Sequence, residues 1–174
     1  MGIIEVNENL RSELNNAVLC WLATVSREGV PNVTPKEIFT LSGRDRILIA
    51  DIASPVSVRN IEDNPIVCVS FIDIFRQRGY KIVGLARIIE RSNASFRTIG
   101  NELLAMVGDR FHIQNIIEVT ITRVSRIRAP SYQFYPERTE QEIMQDAYHT
   151  YGVTPSRGGQ FNPAFSEDVS DGQG

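Results

Sequence analysis

The sequence predicts a small, mainly β fold, an antiparallel barrel with helices inserted, and three observations carry that expectation. Six short β-rich segments recur between turn signals, hairpin-length connections join several of them, and a single short helix falls between the third and fourth. A doubly wound parallel sheet would need a helix after nearly every strand. With 174 residues the chain fits one domain and can bury a single core without disulfides or a structural metal.

The segment from Asn7 to Ala17 predicts a short helix, because Leu10, Leu14 and Val18 recur at a four-residue spacing and Asn7 or Asn9 can cap it. Residues 19–26 (LCWLATVS) and 30–41 (VPNVTPKEIFTL) are expected as a hairpin around Arg27, Glu28 and Gly29, with Gly29 supplying a positive φ. A turn at Ser42 to Asp45 leads to a third strand over 46–51 (RILIAD). Residues 54–63 break the β pattern as a helix that Asn64-Pro65 ends, since proline disfavours a helical residue before it.

A fourth strand is expected from about Ile66 to Asp73, its apolar run IVCVSFI suggesting burial on both faces. After a loop at Phe75 to Gly79, a fifth runs from about Tyr80 to Arg91. One helix is expected between Asn93 and Val107, stopped by Gly108. The sixth strand covers about Ile116 to Arg128, where Ile117, Val119 and Ile121 alternate with Glu118, Thr120 and Thr122 as in a half-exposed strand. Thr139 and Glu142 form a capping box for a helix through about Tyr148; beyond it the composition turns to Gly, Ser, Pro, Asn and Asp. Residues 1–137 are therefore expected to form the barrel with its N-terminal helix. Residues 138–174 form a helix and irregular tail, not an independent domain, with Phe161 and Phe165 as its docking candidates.

A net charge of −3 and a pI near 5.5, with eighteen Lys and Arg scattered among the acids, argue against nucleic acid as a partner. No eighteen-residue apolar run and no basic-then-apolar leader is present, so no membrane partner and a cytoplasmic location are expected. Gly2 is followed by Val6 where a myristoylation motif requires Ser or Thr. Cys20 and Cys68 lie in apolar runs without a second Cys or a His at ligand spacing, which suits buried, reduced thiols. His112 and His149 have no partner at a metal spacing, so no metal site is assigned. No GxGxxG, Walker loop or GxSxG motif occurs.

Three segments could carry chemistry. In DIASPVSVRNI (residues 51–61) Ser54 is placed to cap a helix, Pro55 suits its first position and Ser57 lies in the first turn. Free N–H groups and two hydroxyls there can hold a phosphate with help from Arg59, although the segment also reads as an ordinary capped helix. In Asn32 to Glu37, Pro35 removes a ladder donor and marks an edge, rim or bulge, leaving backbone groups free for a planar polar ring. Taken alone, Lys36 and Glu37 read as solvated charges. In RQRGYKIVG (residues 76–84), Arg76, Arg78 and Lys81 belong either to a solvated hairpin or to an anion-binding loop.

Taken as an ordered pattern, LATVSREGVPNVTPKEIF, LIADIASPVSVRNIEDNPIVCVSF and GYKIVGLARII, spanning about Leu19 to Arg128, resemble the FMN-binding split barrel of the pyridoxamine 5′-phosphate oxidase-like family. The resemblance implies a six-stranded antiparallel split barrel, a homodimer, and FMN at the subunit interface. It also implies hydride or electron transfer between a reduced nicotinamide and a small acceptor, with a non-catalytic flavin carrier, or a haem- or deazaflavin-using relative, as alternatives. Carried over by position, Thr34, Pro35 and Lys36 border the isoalloxazine, Asp51, Ser54 and Ser57 lie beside the ring edge or phosphate, and Arg59 and Asn60 follow. Residues from Gly79 to Lys81 approach across or beside the interface. No catalytic acid or base is assigned.

This chain departs from the family at two places. Val56 and Ser57 stand where strong phosphate binders carry an Arg-Lys pair. The Trp and paired-Arg C-terminal segment of true pyridoxamine phosphate oxidases is missing, the only Trp being Trp21, so vitamin B6 oxidation is not expected.

Overall fold

The computed structural model describes residues 6–155. The elements, in order, are α1 (Glu8–Asn15), β1 (Cys20–Val25), β2 (Pro31–Lys36), β3 (Phe39–Ser42), β4 (Arg46–Asp51), α2 (Pro55–Asp63), β5 (Ile66–Asp73), β6 (Arg78–Glu90), α3 (Phe96–Ile99), α4 (Asn101–Val107), β7 (Asn115–Arg128), α5 (Ser131–Phe134) and α6 (Glu140–Tyr151). The strands form one antiparallel sheet in the order β2-β1-β5-β6-β7-β4-β3. Seven strands replace the expected six because residues 30–41 are two strands, not one.

Each half of that segment makes its expected hairpin, β2 with β1 and β3 with β4. The halves lie at opposite edges of the sheet, yet only Glu37 and Ile38 separate them. In a flat sheet, six gaps of about 4.8 Å would hold the edges roughly 29 Å apart. Three Cα steps of about 3.8 Å reach at most roughly 11 Å, so the sheet must curl until its edges meet. Ala50 N–H donates to Ile38 O (2.9 Å), which carries the β3–β4 ladder into the corner.

Edge strand β2 is blunted by its prolines. Ser26 N–H donates to Val30 O (2.9 Å), so along the hairpin Thr24 faces Asn32 and Leu22 faces Thr34 as hydrogen-bonded pairs. Pro31, Val33 and Pro35 therefore turn their backbone groups away from β1, and two of the three lack an N–H.

The curl creates an interior and an exterior. Inside lie Leu22, Ile47, Ile49, Val67, Val69, Ile82, Ile117 and Val119, plugged by Leu10 and Leu14 of α1 and Ile61 of α2. Outside, α3 and α4 bury Phe96, Leu103 and Val107 against Leu48, Ala50, Ile89 and Ile116. β4 is therefore buried on both faces from Ile47 to Asp51. The expected double burial of residues 66–73 is not found: β5 alternates, with Val67, Val69 and Phe71 inside while Ile66 and Ile72 stand exposed. Cys20 is buried as expected, whereas Cys68, on that outer face, is only partly so.

Other boundaries follow local chemistry. Asn7 caps α1, accepting from Leu10 N–H (2.8 Å), although Val18 of the expected apolar stripe is exposed. The expected helix over 93–107 breaks into α3 and α4 at Gly100, where a Cβ would collide with Ile116 Cδ1. The capping box of Thr139 and Glu142 opens α6. The short α5 has no sequence expectation behind it. The expected tail, with Phe161 and Phe165, lies outside the described residues.

β7 also departs from simple alternation. Glu118, expected on the exposed face, is 3% exposed. It lies opposite Leu48 on β4 and Arg87 on β6, accepting from Arg46 Nη1 (3.2 Å) and from Arg87 Nε, so one carboxylate braces three strands. Burial by itself raises its pKa, but the hydrogen bonds and charges of Arg87 and Arg46 outweigh that and hold it below the ordinary value. A carboxyl depressed in the folded state contributes stability above its unfolded pKa of about 4.3 and loses it as pH falls through the folded pKa. In urea titrations Glu118→Gln is expected to cost about 1.5 kcal/mol at pH 7, a deficit that shrinks below about pH 4; a pH-independent deficit would show that packing, not charge, is lost.

Candidate functional site

β4 ends at Asp51 and α2 begins at Pro55, so Asp51 to Ser54 turn the chain at the barrel rim beside the end of β2. Ser54 occupies the N-cap position, but its side chain does not cap the helix. Instead, Ser54 N–H and Oγ both donate to Asp51 Oδ1 (3.0 and 2.7 Å). Asn115 Nδ2 donates to Asp51 Oδ2 (2.8 Å), and Gln114 N–H to Asp51 O (2.8 Å). The carboxylate thus sits at the positive end of α2 with both oxygens satisfied.

Lys36 completes the chain of contacts. Its side chain is buried at 8% exposure, and its ammonium donates to Ser54 Oγ. Burial lowers the Lys36 pKa, while the negative charge of Asp51 pushes back upward. Opposite Lys36 on β1 is Cys20, whose thiol burial raises to about 12, so it remains a protonated hydrophobe.

These groups border a cleft of about 260 Å³ lined by Thr34, Pro35, Lys36, Glu37, Ile38, Ala53, Ser54 and neighbours including Phe111. Beneath it lies a second polar cluster. Asn32 Nδ2 donates to Thr24 Oγ1 (3.1 Å) and Ser57 Oγ (3.2 Å), Thr34 and Ser57 share a hydroxyl hydrogen bond (2.9 Å), and Asn60 Nδ2 donates to Thr24 Oγ1 (3.1 Å). Those bonds lash α2 to the β1–β2 hairpin.

Of the residues singled out from the sequence, Thr34, Pro35, Lys36, Ser54 and the exposed Glu37 share the cleft, with Asp51 behind them. Ser57 and Asn60 are 0% and 4% exposed, their side chains engaged in the cluster below. Arg59 is exposed on α2. Lys81 lies away from the cleft on the sheet's outer face, in a cross-strand row with Ser70, Trp21 and Pro35. Sequence reasoning missed Thr24, Asn115 and Phe111, and it named Asn32 only as the start of the Asn32–Glu37 segment, with no role of its own. Thr24 leaves a faint signal, a polar residue in the otherwise apolar β1; Asn115 and Phe111 leave none, because only tertiary contact brings them to Asp51 and the cleft.

The arrangement offers a buried cation beside an apolar, open slot, with free backbone groups along edge β2. Such a slot suits a flat ligand with one anionic edge. At about 260 Å³ it falls just short of the roughly 300 Å³ at which ordinary ligand pockets begin, so a larger ligand needs a further wall.

A family model described as pyridoxamine 5′-phosphate oxidase matches residues 6–128. No curated protein matches the chain. Among solved structures, HupZ from Group A Streptococcus is 23% identical with a TM-score of 0.62, over 71% of this chain and 95% of that one. An FMN-binding protein from Syntrophomonas wolfei is 17% identical with a TM-score of 0.60, over 70% and 86%. HutZ, the heme storage protein from Vibrio cholerae, is 15% identical with a TM-score of 0.56, over 72% and 95%. At these identities the structures share the fold alone. The family model, however, spans well over half of the chain: the chain belongs to the pyridoxamine 5′-phosphate oxidase-like split-barrel family.

Proposed function

We propose that the chain binds FMN in the cleft beside Lys36, as a homodimer, and moves hydride or electrons between a reduced nicotinamide and a small acceptor. The observation that carries this reading is the Lys36 ammonium, buried yet bordering an open cleft, and held by Ser54 and Asp51. Asp51 already balances the buried ammonium through Ser54, so the cation is held in place at the cleft, where it would attract a ligand that gathers negative charge when reduced. Thr34 and the Pro35 backbone would meet the polar ring edge, and Ile38, Ile52 and Ala53 its apolar part. Bound FMN would supply the redox chemistry, while these residues orient it, keep water out and place a positive charge. HutZ is described as a heme storage protein, but His112 and His149 here are exposed and neither lines the cleft, so flavin is the better-supported ligand.

Dimerisation rests on the uncovered half of the sheet's outer face. Trp21, Val33, Ile66, Ile72 and Leu85 are 43–57% exposed, and register places them on β1, β2, β5 and β6 with Cys68 among them. A symmetric copy laid on this patch would bury it and bring Lys81, in the same rows, towards the partner's cleft.

The primary test is fluorescence titration with FMN, then anaerobic mixing with reduced nicotinamide. Saturable quenching at one FMN per chain is expected, followed by rapid bleaching; quenching without bleaching would indicate a carrier, and no quenching would remove the flavin reading. Lys36→Ala should weaken FMN binding by about tenfold, or about 1.4 kcal/mol, and slow the bleaching; unchanged values would exclude Lys36 from the site. Ile66→Glu, placing a charge in the apolar patch, is expected to give a monomer by sedimentation with FMN affinity reduced; a dimer of wild-type size would move the interface elsewhere.

A further inference from the structure

Phe111 is left 53% exposed, yet it lines the same cleft as Pro35, Lys36 and Ser54. It belongs to the connection between α4 and β7, which leaves α4 through Gly108 at φ 57°. The far end is pinned by Gln114 N–H and Asn115 Nδ2, both donating to Asp51, the residue that also supports Ser54. Ile113, two residues after Phe111, is 1% exposed in the cluster under α3 and α4. The segment is thus anchored to the site and to the core while its aromatic ring remains at the mouth.

The ring's neighbours in the cleft include Ala50, Ala53 and Ile52, small or aliphatic side chains that leave the slot unfilled. A half-exposed phenyl ring beside an unfilled apolar slot loses its water only when a ligand enters, and a flat aromatic ligand offers it a stacking or edge-on partner. Resting on the flavin reading, we propose that Phe111 is a positioning residue that packs against the isoalloxazine as the outer wall of the cleft, a role none of the family's sequence landmarks assigns.

The test compares wild type, Phe111→Ala and Phe111→Trp by FMN titration and by the emission of bound FMN. Phe111→Ala is expected to weaken FMN binding threefold to tenfold and to brighten the bound flavin, with thermal melting of the free protein unchanged because the side chain is exposed. Phe111→Trp is expected to restore affinity and dim the bound flavin below wild type, since a stacked indole quenches it. If wild type binds FMN and neither variant changes affinity or emission, the inference is overturned while the flavin reading stands. If wild type does not bind FMN, the flavin reading fails and the inference falls with it.

Discussion

Two residues, Glu37 and Ile38, join the two edges of a seven-stranded sheet, and most of the molecule follows from how short that link is. It forbids a flat sheet, so the strands must curl around one apolar interior. It also brings the end of β2, carrying Lys36, beside the end of β4, carrying Asp51. These residues are fifteen positions apart in sequence and on strands separated by four others across the sheet. Their link through Ser54 exists only because the sheet has curled until its edges approach one another. The site is therefore a product of the seam: where the two edges approach with no β2–β3 ladder among the described residues, a cleft remains.

Burial at the seam sets the electrostatics. An ammonium at 8% exposure would be costly to leave unpaired. Asp51 offsets that cost through Ser54, and is itself fixed by Asn115 at the start of β7, which bonds its carboxylate, and by Gln114 just before β7, which bonds its backbone carbonyl. Four elements thus converge on one carboxylate, and its removal would disturb the turn into α2 as well as the lysine. Ser54 is committed as the bridge between them. Its position at the helix N-cap, which in isolation suggests a hydroxyl free for an anion, is here the reason that its N–H can turn back to Asp51.

Much of the fold was legible because it is written in local chemistry. Asn7, Gly29, Pro65, Gly108 and the Thr139–Glu142 box each end or begin an element by a mechanism that needs no distant partner. What was not legible depended on distant contact. The corner at Glu37 lies inside a continuous β-rich run, and nothing in that run announces that its halves belong to opposite edges. Gly100, where the expected helix breaks, sits against Ile116, which occupies the space a side chain there would need. Glu118 looks like an exposed residue of an alternating strand, and only the arrival of Arg46 and Arg87 makes its burial tolerable. At the site, proline placement marked β2 as an edge, but the donors that hold Asp51 come from residues 114 and 115, beyond any local pattern.

A phosphate at the start of α2 would have to be gripped without the family's Arg-Lys pair. Both serine hydroxyls at the start of α2 are engaged, Ser54 with Asp51 and Lys36 and Ser57 with Thr34 and Asn32. Ser54 N–H is also taken, Pro55 has none, and Val58 N–H already bonds Ser54 O (3.1 Å). The first-turn donors that helix geometry leaves over are the backbone N–H groups of Val56 and Ser57. They coincide with the positions where the cationic pair is replaced, so a phosphate there would rely on two backbone donors, the helix dipole and the exposed Arg59. Affinity would then shift from the phosphate end of the ligand towards its ring, where Lys36 and the apolar walls lie. In the flavin reading, a barrel that has exchanged side-chain cations for backbone donors at one end must hold its ligand mainly by the other.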